Sequence, residues 1–149
     1  MTKFDDLCAS YQKLLSNAET YEKDCQEFAK KIVMGLVDYL GCGKNDILLT
    51  QLEISEDGYY NCDLELTVYE GADKYASRGL VPEINLKVAR NIDEFVVKIV
   101  GGTKAYGFDK DDTNFDLLYD DVYRGIKSYY ETPIDDFIHR NMRGRLNFA

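Results

Sequence analysis

The chain has 149 residues, 45% of them hydrophobic and 30% charged, with a formal net charge of −9 and a pI near 4.6. These are the proportions of an ordinary globular protein, and the length suits a single domain, 1–149, with one hydrophobic core. So acidic a balance argues against direct binding of nucleic acid, whose phosphates need a positive patch, and favours a basic partner. No apolar run is long enough to span a bilayer, and the start Met1-Thr2-Lys3-Phe4-Asp5-Asp6 lacks the basic and apolar parts of a secretory leader. The expected compartment is therefore the cytoplasm, with no membrane partner. There the four cysteines Cys8, Cys25, Cys42 and Cys62 are expected as reduced thiols.

Thr2-Lys3-Phe4-Asp5 reads as a capped helix start, after which Phe4, Leu7, Cys8, Tyr11, Leu14 and Leu15 recur at helical spacing. Ser16-Asn17 reads as a break. The capping pattern Ser16-x-x-Glu19 then opens a second helix with an apolar stripe of Tyr21, Cys25, Phe28, Ala29, Ile32, Val33, Leu36 and Leu40, closed by Gly41 and Gly43.

Residues 47–101 read as four antiparallel strands. Tyr60, Cys62, Leu64, Leu66 and Val68 alternate with polar neighbours and tyrosines, the period of two of a half-buried strand. Leu48, Leu52 and Ile54 precede it across the turn signal Glu56-Asp57-Gly58. Ile84, Leu86 and Val88, then Phe95, Val97 and Ile99, give two more strands joined around Asn91-Ile92-Asp93. Between the second and third strands, residues 70–80 are too long for a tight hairpin and form a candidate contact loop, with Pro82 opening the third strand.

After Gly101-Gly102, the segment Tyr106-Gly107-Phe108 leads into the acidic run Asp109-Lys110-Asp111-Asp112. Thr113 with Asp116 predicts a helix burying Phe115, Leu118, Tyr119, Val122, Ile126 and Tyr129, and Thr132-Pro133 predicts a last short helix carrying Ile134, Phe137 and Ile138. The fold class expected is α+β: two N-terminal helices, a four-stranded antiparallel sheet, and two C-terminal helices packed on one sheet face.

Chemistry-bearing motifs are few. The single histidine, His139, lies beside Arg140 near the expected end of the last helix, and no Gly-x-Ser-x-Gly elbow accompanies it. No cysteines have Cys-x-x-Cys spacing. Asp109-x-Asp111-x-Thr113 with Asp120 in the twelfth place has the outline of a calcium loop, but Asn114 stands where that loop needs glycine and Asp120 where it needs glutamate. Gly41-Cys42-Gly43-Lys44 and Gly101-Gly102-Thr103-Lys104 lack the spacing of a phosphate loop. No catalytic residue, metal or cofactor is expected.

Surface character points instead to binding. Residues 109–136 hold nine carboxylates against Lys110, Arg124 and Lys127, whereas 137–149 hold Arg140, Arg143 and Arg145 and no acid. Twelve tyrosines and no tryptophan supply side chains suited to interfaces, several of them off the expected core faces. The expectation is a non-catalytic protein-binding module, comparable in size and charge to inhibitors and to immunity or anti-defence proteins. It would dock on a basic protein surface, one made for nucleic acid being a candidate, through Asp109, Asp111, Asp112, Asp116, Asp120, Asp121 and Tyr123. The alternative is an enzyme or small-ligand binder with a site between the sheet and the 70–80 loop, using Asp63, Arg78, Glu83 and Lys87. A homodimer through the strand at Pro82 or the Tyr129-Tyr130 helix is a third expectation.

Overall fold

A computed structural model describes residues 2–69 and 83–131. Its first element is α1, Lys3–Leu40, a single helix of 38 residues and thus about 57 Å long. The capping box is formed as the sequence suggests: Thr2 Oγ1 accepts from the Asp5 amide at 3.1 Å and Asp5 Oδ2 from the Thr2 amide at 3.0 Å. The break expected at Ser16-Asn17 does not occur, so the two N-terminal helices are one. Serine and asparagine cost only about half a kcal/mol each inside a helix, too little to end it without a proline or glycine. The Thr20 hydroxyl, donating to the Ser16 carbonyl at 3.0 Å, follows the helical ladder straight through the site. Gly41 ends the helix at φ 70°, a left-handed conformation that costs glycine nothing, with its amide on Val37 and Asp38 carbonyls.

A single 3-10 turn, Lys44–Asp46, leads into the sheet. Its buried Asp46 accepts from the Gly43 amide and the Tyr69 hydroxyl, each at 2.8 Å, and so fixes both the entry to the sheet and the strand end beside it. The strands are β1 Ile47–Ile54, β2 Tyr60–Leu66, β3 Glu83–Asn91, β4 Glu94–Ile99 and β5 Ala105–Asp109, antiparallel throughout and in the order β1-β2-β3-β4-β5. The four expected strands are present, and β5 is a fifth that pairs with β4 through Phe95 opposite Phe108 and Val97 opposite Tyr106. Its segment alternates Tyr106 and Phe108 inward with Gly107 between them, a short signal that a glycine in mid-strand obscures.

One face of this sheet is the core. Tyr60, Cys62, Leu64, Leu66, Ile84, Leu86, Val88, Phe95, Val97 and Ile99 are all buried, as the alternation requires. The covering layer is the second half of α1, through Cys25, Phe28, Ala29, Ile32, Val33 and Leu36, and α2, Asp116–Tyr130, through Leu118, Tyr119, Val122, Ile126 and Tyr129. Helix α2 starts at Asp116 rather than Thr113, because Phe115 is drawn into an aromatic cluster: it meets Phe108 edge-on at 4.8 Å and Phe28 at 5.7 Å, and Phe28 stacks on Phe95 at 4.1 Å. The two helices lock where the Tyr119 hydroxyl donates to the Ile32 carbonyl at 2.7 Å in the core. Gly35 makes that approach possible, since a Cβ there would collide with the Tyr119 hydroxyl.

Two helices and five strands are therefore described where four helices and four strands are expected. The last short helix from Thr132-Pro133, the 70–80 loop with Arg78, Pro82, His139 and the arginine-bearing tail lie outside the described residues. Among the described residues, no helix is long and apolar enough to cross a membrane.

Candidate functional site

The seven residues expected to bind a partner fall into three environments. Asp109 ends β5, Asp111 and Asp112 form the turn after it, and Asp116 opens α2. The turn is closed by its own polar groups: the Asp109 amide donates to Asp112 Oδ2 at 2.8 Å, and the Asp112 amide to the Asp109 carbonyl at 3.0 Å. Asp116 sits in the first helical turn, where the dipole favours a carboxylate, and its amide donates to Asn114 Oδ1 at 3.1 Å. The Asp109, Asp111 and Asp116 side chains are exposed and form no ion pair within the described residues.

Asp120 and Asp121 are adjacent in sequence but serve opposite sides of α2. The Tyr39 hydroxyl of α1 donates to Asp120, and the Tyr106 hydroxyl of β5 donates to Asp121, so the pair ties α2 to the helix on one flank and the sheet edge on the other. Asp121 also takes Arg124 at 2.7 Å and Lys104 at 3.5 Å. The Tyr106 hydroxyl foremost, then the two cations, hold its carboxyl below the usual range. The bond to Asp120 favours the neutral phenol of Tyr39 and raises it to about 12, while burial and then Asp121 push Tyr106 up. These two carboxylates are thus structural fasteners with their negative charge already engaged. Sequence reading misses both pairs because the tyrosines come from elements 81 and 15 residues away.

Tyr123 is exposed and stands on the same face of α2 as Asp116 and Asp120, about 10 Å along the axis from Asp116. It borders an apolar cavity of about 570 Å³ between the end of α1, the ends of β2 and α2, and residues such as Leu40, Leu66, Val68, Ile126 and Tyr130.

The described residues of the alternative site, Asp63, Glu83 and Lys87, lie on the outward sheet face, as their alternation predicts. Asp63 stands opposite Asn85, whose amide donates to it at 3.0 Å, and Glu83 stands opposite Glu65. Lys87 is bound to Asp57 at 2.9 Å, and with Lys98 it brackets the Tyr59 ring at 5.8 and 5.0 Å. Ser55 and Lys87 together hold the Asp57 carboxyl well below its usual range. None of Asp63, Glu83 and Lys87 lines the apolar cavity. A second, polar cleft of about 460 Å³ runs beside the β3–β4 turn, where the Asp24–Arg90 ion pair, Lys31, Lys110 and Asp111 meet.

The cysteines split by surroundings: Cys25 and Cys62 are buried in the core and Cys8 is exposed on α1. Burial raises the Cys25 thiol and takes that of Cys62 to about 12, far from a reactive thiolate. Among the described residues, no three His, Cys, Asp or Glu side chains gather as a metal ion would need. No protein-family model, no curated protein and no solved structure matches the chain.

Proposed function

We propose that the chain is a non-catalytic protein-binding module, an acidic inhibitor of the immunity or anti-defence kind, that docks on a basic protein surface. The observation that supports it is the cluster of uncompensated carboxylates at the β5–α2 turn, Asp109, Asp111 and Asp116, with Asp112 between them. Exposed carboxylates held by a closed turn and a helix start offer negative charge in a fixed arrangement, which steers a basic partner and sets register. Asp120 and Asp121 contribute less, because their charges are already engaged by Tyr39, Tyr106 and Arg124. Tyr123 extends the same face with an aromatic ring suited to an arginine.

The test is capture from host lysate on the immobilised chain, compared with a variant carrying Asp109→Asn, Asp111→Asn, Asp112→Asn and Asp116→Asn. The expected result is a basic protein retained by the parent chain, released between roughly 0.05 and 0.5 M salt, and lost from the variant. Identical capture by both, or retention indifferent to salt, rejects the acidic turn as the docking surface. A small-ligand binder is the second reading, and the observation favouring it is the apolar cavity beside Val68, where the chain leaves β2 toward residues 70–80.

A further inference from the structure

Among the described residues, nothing packs beneath the first half of α1. Every residue from Thr2 to Thr20 is exposed, and Phe4, Leu7, Tyr11 and Leu14 keep 72, 68, 61 and 64% of their surface. These are not scattered apolar residues. About 18 residues make five turns of helix, so Leu7, Tyr11, Leu14, Leu15 and Ala18 stand in line with Cys25, Ala29, Ile32, Val33 and Leu36, the buried residues of the same helix. The stripe that seals the core simply runs on, uncovered, for about 27 Å. A lone helix of this length, with Ser10, Ser16 and Asn17 in it, is marginal in water unless its apolar face is packed.

We propose that this arm pairs with the same arm of a second copy of the chain, antiparallel and centred near Tyr11. The proposal stands apart from the acidic docking surface, which lies on other elements. Two observations select a second copy. An apolar stripe can lie on its own two-fold copy, as an isologous interface requires. The arm is nearly neutral, Lys3 and Lys13 against Asp5, Asp6 and Glu19, in a chain of net charge −9, so like charges do not oppose pairing there.

The area also fits. Five large side chains, each offering on the order of 100 Å², give two arms roughly 1,000–1,300 Å² to bury, close to the lower end of about 1,200–2,000 Å² for specific dimers. A dimer in the micromolar range is expected. Direction follows from the body: beyond Tyr21 the stripe face of α1 is occupied by its own sheet, so a parallel partner helix would run into it. An antiparallel partner passes beyond the start of α1 instead and carries its own sheet clear.

Sedimentation equilibrium of the full chain over roughly 1–200 µM should show a monomer–dimer equilibrium. Leu7→Glu with Leu14→Glu should abolish it and lower the helical circular dichroism, with the slow amide exchange of β2 to β4 unchanged, whereas Leu117→Glu on α2 should leave the dimer intact. In a Cys8→Ser background, oxidised Tyr11→Cys should cross-link to a dimer and Phe4→Cys should not. A chain monomeric throughout, a dimer that survives the paired glutamates, or a Phe4→Cys cross-link overturns the antiparallel arm.

Discussion

The two halves of α1 share one periodicity and meet opposite surroundings. Residues 21–40 lay their stripe on the sheet, with Cys25, Ala29, Ile32 and Leu36 no more than 2% exposed; residues 2–20 lay an equivalent stripe on nothing within the described residues. Pattern decides that a segment is an amphipathic helix and which side of it is apolar. Cover is decided by what tertiary structure brings to that side. Along its own length α1 thus sets a stripe closed by its own sheet beside an equivalent stripe that nothing among the described residues closes.

The sharpest way to break the comparison is to truncate one residue in each half. Phe28 stacks on Phe95 and touches Phe108 and Phe115, so Phe28→Ala removes the hub of the aromatic cluster and should cost about 3–5 kcal/mol in chemical denaturation. Leu14→Ala, measured at a concentration low enough to keep the chain monomeric, should change stability by less than about 0.5 kcal/mol. If Leu14→Ala costs as much as a core truncation in the monomer, the arm is packed against its own chain and the two halves are alike after all.

A smaller effect probes what the covered half needs to sit where it does. Gly35→Ala improves helix propensity by about 1 kcal/mol but drives a methyl into the Tyr119 hydroxyl, so it should destabilise by about 1–3 kcal/mol. In a Tyr119→Phe background that hydroxyl is gone along with its bond to the Ile32 carbonyl. There the cost of Gly35→Ala should fall to within about 1 kcal/mol of zero, because only the ring carbons remain near, at 3.2 and 3.4 Å. Equal costs in the two backgrounds would mean that the close approach of α1 and α2 does not depend on this pair.

Much of the scaffold is legible in the residues alone. The alternation from Tyr60 to Leu66, the buried faces of β3 and β4, and the stripe of α2 all emerge at their correct phase, because a half-buried strand or helix must repeat its apolar residues at its own period. What escapes has particular causes. Ser16-Asn17 imitates a cap, yet propensity is too weak to stop a helix already running. β5 has five residues with Gly107 at its centre, and only its pairing with β4 makes it a strand. The acidic cluster is legible as composition but not as chemistry. Whether a carboxylate faces water, as Asp111 and Asp116 do, or a tyrosine from a distant element, as Asp120 and Asp121 do, is settled by tertiary register rather than by neighbours in sequence.

The smallest expected effect falls on the border between the halves. Tyr21 is where α1 first touches the body: its hydroxyl donates to the Gly58 carbonyl at 2.7 Å and accepts from the Arg90 amide at 3.3 Å, and its ring lies 5.3 Å from the Arg90 guanidinium, which also pairs with Asp24. Tyr21→Phe keeps the ring and removes both hydrogen bonds, so it should cost about 1–2 kcal/mol, each such partly buried bond contributing on the order of 0.5–1 kcal/mol. The loss should also be local. Amide exchange is expected to quicken from Tyr21 to Cys25, where the helix is pinned, and to stay unchanged from Phe28 onward, where packing on the sheet holds it. Faster exchange reaching Leu36 would show that the packed half draws its order from this one residue, and the division of α1 would then lie well beyond Tyr21.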